Sequence, residues 1–237
     1  MFPIVDGIPA LLTNPPDSPA LVARTRSLDA EAARYVFVMA ALALLARAWP
    51  PAERRRLIAA LGLKPGERVL DHCSGPGGNL PAIAARVGTA GTIVAMDLSR
   101  EMLRRARRWA ARRRVRVDLH QADAVALPYA DGFFDAVVHV GAINQLGEAT
   151  PRVVAEMVRV TRAGGVVAIV DEGLEPVRAQ TRLGRLLIRR NALFASRPPL
   201  DALPPSVQPE VRWGMRGIFY QIVFRTPAAI ASQRGDR

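Results

Sequence analysis

The sequence predicts an α/β fold: a mostly parallel sheet of seven strands, helices on both faces, an antiparallel end, and an N-terminal helical cap. Three observations carry this expectation. From Arg68 onward, short apolar runs that read as strands alternate with helical stretches, the pattern of a parallel sheet with crossover helices. A glycine-rich turn containing Gly75, Gly77 and Gly78 stands between the first of these strands and its helix. The tail from Val211 to Arg225 reads as two strands around Gly214 and Gly217, a hairpin of the kind that ends an otherwise parallel sheet.

Taken in order, residues 1–17 contain Pro3, Gly7, Pro9, Pro15 and Pro16 and read as an extended arm. Ser27 offers an N-cap, with acidic residues behind it and the apolar run YVFVMAALALLA, Tyr35 to Ala46, beyond. That run is too short to cross a bilayer, which takes about twenty residues, and reads as a core helix or a lid. Pro50 and Pro51 end this helix, and Ala52 to Leu61 forms another, closed by Gly62. Residues 1–62 are thus an arm and helical cap, and residues 63–237 the sheet domain.

Within that domain Arg68 to His72 is the first strand, with a helix from Gly77 to Val87, and Thr92 to Met96 is the second. Glu101 to Arg113 is an amphipathic helix, with Met102, Leu103, Ala106, Trp109 and Ala110 on one face and Arg104, Arg105, Arg107 and Arg108 mostly on the other. Val115 to His120, Phe134 to Val140 and Val166 to Val170 are the next strands. A helix over Arg152 to Val160 precedes the last of them, with Gly164 and Gly165 as the turn. Val177 to Phe194 reads as a basic amphipathic helix inside a lid-like insertion over residues 174–209.

The formal charge is +12, yet Lys64 is the only lysine and the chain is rich in Ala, Gly and Pro. An arginine-dominated excess of this kind fits codon bias as well as it fits a nucleic-acid surface, so charge alone does not establish an acidic partner. Cys73 is the only cysteine, which excludes an intrachain disulfide and a thiolate metal cluster. His72, His120 and His139 lack paired ligand spacing, so no metal site is expected. Met1 to Ala10 has no basic segment ahead of an apolar core and does not read as a secretory signal, which makes the cytoplasm the default compartment.

The chemistry concentrates in VLDHCSGPGGN, Val69 to Asn79. A buried strand ends at Asp71, the glycines let a ligand approach the backbone, and the new helix points free N–H groups toward it. Asp97 ends the second strand, twenty positions after Gly77, where a carboxylate can accept from ribose hydroxyls. Asp123 follows the third strand. Each aspartate alone could cap a turn, but three at consecutive strand ends fit a ligand bound at the carboxyl edge of the sheet.

VLDHCSGPGGN, VAMDLSREML, QADAVALPYADGFFDAVV and EMVRVTRAGGVVAIV, in this order and spacing, resemble the successive motifs of class I S-adenosylmethionine-dependent methyltransferases. The resemblance spans Arg68 to Asp171 and is greatest to the small-molecule branch that includes the ubiquinone and menaquinone biosynthesis enzymes. It implies a Rossmann-like fold with S-adenosylmethionine as cofactor. It also implies that Gly75 and Gly77 meet the methionine part, Asp97 the ribose, Leu98 the adenine face, and Asp123 with Ala124 the adenine edge. Asp71 would orient the loop or contact the methionine amino group through water, and Cys73 and Val140 complete the cofactor-facing set. Two departures stand out: Cys73 replaces a glycine, and VHVGAINQL replaces a segment that usually carries paired histidines.

Methyl transfer from a sulfonium is an in-line displacement that needs alignment and exclusion of water, and a base only where the acceptor loses a proton. The candidates for the acceptor side are His139, Asn144, Asp171 and Glu172. The apolar cap and the arginine-flanked insertion suit a small lipophilic or quinone-like acceptor and allow peripheral membrane contact. The alternatives are an RNA methyltransferase and an NAD(P)-dependent oxidoreductase.

Overall fold

The computed structural model describes residues 2–12, 23–30, 50–214 and 216–228. The apolar run 35–46 lies outside these residues. A seven-stranded sheet runs in the order β5-β4-β3-β6-β7-β9-β8. Here β3 is Arg68–His72, β4 Thr92–Asp97, β5 Asp118–Gln121, β6 Phe134–Val140, β7 Thr161–Glu172, β8 Glu210–Gly214 and β9 Phe219–Arg225. The chain forms two compact units: residues 1–128 with 138–140, and residues 129–137 with 141–237.

In the first unit β3, β4 and β5 are parallel, with Asp71 beside Ala95 and Asp97 beside Gln121. Val69, Leu70, Val94, Ala95 and Met96 are buried, as expected of strands covered on both faces. Beyond the helical residues 23–30, helix α1, Pro50–Ala60, starts at the two prolines instead of after them, because proline at the first helical positions forfeits only N–H groups that lack a partner anyway. Helix α2, Leu80–Val87, buries Leu80, Ala82, Ile83 and Val87. It begins three residues later than expected, since Gly77 adopts a left-handed φ of 82° that a helix excludes.

Helix α3, Arg100–Arg112, is capped by the Ser99 hydroxyl, which accepts from the Met102 amide. Its arginines are engaged locally: Arg104 pairs with Asp6, Arg105 and Arg108 pair with Glu101, and the Arg113 guanidinium that follows lies 3.2 Å from the centre of the Trp109 ring.

The N-terminal arm is folded more tightly than its prolines suggest. Strands β1, Ile4–Val5, and β2, Ile8–Pro9, pair antiparallel around Asp6 and Gly7. Both turn residues have positive φ, 53° and 70°, which is the backbone twist a two-residue hairpin requires. Ala10 then bridges Gln121 of β5. Residue 23 is already helical, so the helix expected from Ser27 begins earlier.

In the second unit β7 pairs antiparallel with β9 from Val166↔Arg225 to Glu172↔Phe219, and β8 pairs antiparallel with β9. This is the hairpin expected from Gly214 and Gly217. Helix α4, Thr150–Val160, buries Val153, Val154, Met157, Val158 and Val160. The basic helix expected over residues 177–194 is broken into α5, Pro176–Ala179, and α6, Arg182–Arg190. Thr181 ends the first by donating its hydroxyl to Arg178 O and caps the second by accepting from Gly184 N.

Candidate functional site

The carboxyl ends of β3, β4 and β5 carry the three aspartates that the strand reading singled out. Asp71 is fully buried, and its Oδ1 accepts from Asn79 Nδ2 at 2.9 Å. Burial pushes its carboxyl up to about 7, against the opposing effects of Asn79 and Arg54. Asp97 accepts from two backbone amides, Gly75 N and Ser99 N, each at 2.9 Å. Burial raises it to about 6, the two amides opposing. Asp123 Oδ1 accepts from Val125 N at 3.2 Å and lies 3.8 Å from Arg24, while Leu98 and Ala124 are buried beside these strand ends. Val140 is half-buried at the end of β6.

The loop is held by its own groups. Gly75 N donates to Asp97, Gly77 N to Ser74 O at 3.0 Å, and Leu80 N to Gly77 O at 3.2 Å. Of the amides expected to receive the ligand, those of Gly75, Gly77 and Leu80 are thus spent on the turn. What faces inward unpaired is Asp71 Oδ2, Ser74 Oγ and Asn79 Oδ1, all buried and without a partner.

Gly77 is needed on two counts: its positive φ, and a Cβ that would stand 2.8 Å from Leu80 Cδ1. A Cβ on Gly75 would meet nothing within 4 Å, so the loop is open on that side. The N-terminal helix contributes residues the sequence did not flag. Asp29 accepts from Ser99 Oγ at 2.5 Å and from Glu101 N at 3.2 Å, and Arg24 reaches Asp123.

Cys73 has a left-handed φ of 53° where a glycine is the unstrained choice, and its amide donates to the Met96 thioether at 3.4 Å. Burial, then the charges of Asp97, Asp123 and Asp71, push its thiol up, with Arg24 opposing. His139 is fully buried, its Nδ1 2.7 Å from Nδ1 of His72. Burial lowers His72 to about 4, so it is neutral. The expectation that no metal site exists rests on sequence spacing. The structure brings donor atoms of His72, Cys73 and His139 within 4.8 Å of one another.

In the second unit, Asn144, Asp171 and Glu172 come together. Asp171 accepts from Asn144 N at 2.9 Å and from Glu172 N at 2.8 Å. Asn144 donates from Nδ2 to Glu172 O at 2.7 Å and accepts from Tyr220 Oη at 2.6 Å. Tyr220 was not legible as a site residue; it is fully buried on β9, opposite Asp171. Burial pushes Glu172 up to about 8, reinforced by the hydrogen bond and charge of Asp171. A value near 8 lets the Glu172 carboxyl exchange a proton close to neutral pH.

A separate cavity of about 450 Å³ is lined by Ile8, Arg107, Val115 and Val117 among others, and none of the strand-end aspartates borders it.

Residues 69–165 match the family described as methyltransferase domain. This stretch is a methyltransferase domain. The match runs from β3 into β7 and so contains all three strand-end aspartates.

The chain is 36% identical over 152 residues to an uncharacterised protein of Mycobacterium tuberculosis, covering 63% of this chain and 51% of that protein. It is 38% identical over 119 residues to a demethylmenaquinone methyltransferase of Renibacterium salmoninarum, covering 50% of this chain and 46% of that enzyme. The chain thus spans about half the length of the curated relatives it matches.

Among solved structures, a SAM-dependent methyltransferase from Aquifex aeolicus superposes with a TM-score of 0.56 at 21% identity, over 73% of this chain and 88% of that one. A phosphoethanolamine N-methyltransferase from Haemonchus contortus, in complex with S-adenosyl-L-methionine, superposes at 0.57 with 15% identity, over 74% of this chain and 52% of that one. At these identities the likeness is one of fold.

Proposed function

We propose that this protein is an S-adenosylmethionine-dependent methyltransferase acting on a small lipophilic, quinone-like acceptor. The observation that carries the cofactor reading is the charge of the cradle. Two carboxyls held above their ordinary range by burial, Asp71 and Asp97, border a loop whose Gly75, Gly77 and Leu80 amides are already spent internally. Such a site favours a ligand bearing positive charge, as a sulfonium and an ammonium do, over the diphosphate of a nicotinamide dinucleotide.

Asp71 Oδ2 and Ser74 Oγ are buried acceptors placed for the amino-acid part, and Asp97 retains lone pairs for the ribose hydroxyls. Leu98 and Ala124 offer apolar contact to the base, with Val140 at the neighbouring strand end. When bound, the cofactor supplies an electrophilic methyl group whose C–S bond breaks as the bond to the acceptor forms, with the electron pair returning to sulfur.

For an acceptor that loses a proton, Glu172 is the base, and Asp171, Asn144 and Tyr220 are positioning residues that hold its backbone. His139 is not assigned to the acceptor, because it is buried against His72. The quinone-like class is supported by the name of one relative and by the arginine-flanked apolar residues of the 174–209 segment. The same segment supports contact with an anionic membrane surface. Among the described residues no helix is long and apolar enough to cross a membrane.

Calorimetric titration with S-adenosylmethionine, S-adenosylhomocysteine and NAD tests the reading. Saturable binding of the first two and not of NAD is expected, and binding of NAD alone would overturn it.

A further inference from the structure

We propose that His72, Cys73 and His139 form a binding site for Zn²⁺. His72 ends β3 and His139 is the penultimate residue of β6, its neighbour in the sheet. Both imidazoles are fully buried, and their Nδ1 atoms meet at 2.7 Å. Two imidazole nitrogens at that separation share one proton, so at least one ring is neutral and presents a lone pair. Cys73 adds a sulfur, and the three donor atoms lie within 4.8 Å of one another.

Tetrahedral Zn²⁺ with bonds of ~2.0–2.3 Å places its donors roughly 3.3–3.8 Å apart. The 2.7 Å nitrogen contact lies just below that spacing and the 4.8 Å span of the three donors about 1 Å above it.

The donor set is selective. Two imidazoles and a thiolate suit a borderline or soft ion and not Mg²⁺ or Ca²⁺, which take oxygen ligands. The surroundings continue this character, for the Met96 thioether accepts from the Cys73 amide. Charge balances as well. Binding displaces the thiol proton to solvent and moves the proton between the imidazoles to Nε2 of its own ring, and the remaining positive charge of the thiolate-bound ion sits in the field of Asp71, Asp97 and Asp123, each of which acts on Cys73.

Cys73 occupies a left-handed backbone position, φ 53°, where it is strained and glycine is not. A strained side chain between two buried histidines is what a ligand requirement would retain. Three protein ligands leave a fourth position open, as in sites where zinc exchanges a ligand.

Because Cys73 is the only cysteine in the sequence, any thiolate-to-metal signal reports on this residue. The purified protein, freed of metal by chelator and without cofactor, is titrated with Co²⁺ and then with Zn²⁺. One equivalent of Co²⁺ is expected to produce a near-ultraviolet thiolate charge-transfer band that Zn²⁺ abolishes. Zn²⁺ is also expected to protect Cys73 from alkylation. Cys73→Gly, which relieves the backbone and so retains the fold, should remove the band and weaken Zn²⁺ by at least about tenfold in chelator competition. His139→Gln should weaken it comparably. Saturation with Co²⁺ without a thiolate band, or Zn²⁺ affinity unchanged in either variant, overturns the site. None of these readouts depends on methyl transfer.

Discussion

The backbone amide of Gly75 donates to Oδ2 of Asp97 at 2.9 Å, so the carboxylate that ends β4 also sets the turn that follows β3. Replacing it removes the brace of the loop together with the ribose contact proposed for Asp97. Asp97→Ala is expected to lower affinity for S-adenosylhomocysteine about ten- to a hundredfold, corresponding to ~1.5–3 kcal/mol for hydrogen bonds to a charged group. Calorimetric titration measures it, and an unchanged dissociation constant removes Asp97 from the cofactor site.

Asp71 and Asp97 give the unliganded protein a defined pH dependence. Their folded values, about 7 and about 6, stand above the ordinary 3.8, so the folded state holds more protons than the unfolded one between pH 3.8 and those values. Stability from these groups is therefore intact at low pH and is lost as pH rises through that window. Asp71→Asn keeps an acceptor for Asn79 and removes the charge. The fall in Tm between pH 5 and pH 8 should be shallower in this variant, and an identical slope would show that Asp71 does not titrate there.

Glu172 predicts the pH profile of the reaction. A base works when ionised, so with Glu172 in the proposed role methyl transfer to a naphthoquinol acceptor should rise with pH through about 8. Glu172→Gln should lose that limb and slow turnover by roughly a hundredfold or more while cofactor binding stays intact. A full rate with an unchanged profile in the variant would exclude Glu172 as base.

Tyr220 braces the same group from a distant part of the chain. Tyr220→Phe leaves Asn144 Oδ1 without its donor, an expected loss of about 1–3 kcal/mol, which for a chain of this size is a Tm decrease of roughly 2–12 °C. Thermal unfolding followed by circular dichroism reads this, and an unshifted midpoint would mean that solvent replaces the bond.

Helix α6 exposes Leu183 and Leu186, 63% and 48% accessible, among Arg182, Arg185, Arg189 and Arg190. Binding to phosphatidylglycerol vesicles should exceed binding to phosphatidylcholine vesicles and weaken with salt. Leu183→Glu combined with Leu186→Glu should reduce partitioning at least about tenfold. Equal sedimentation of the wild type and this double variant would rule out α6 as the membrane-facing element.

What the sequence alone determined is local. Asp71, Asp97 and Asp123 are recognisable because each ends a short apolar strand, and the strand-turn-helix period is written in adjacent residues. The closing hairpin follows from Gly214 and Gly217 in the same way. Element ends were less legible. Helix α2 starts at Leu80 and not Gly77, β5 at Asp118 and not Val115, and β7 extends over Thr161–Glu172, because backbone angles and strand pairing set those limits, and hydropathy does not.

Partners distant in the chain were decided only by the tertiary structure. His72 meets His139 across 67 positions and Tyr220 meets Asn144 across 76. No periodicity carries such pairings, since they depend on which strands lie side by side. The fate of the loop amides and the raised values of Asp71, Asp97 and Glu172 follow from burial, and burial exists only once the chain has folded.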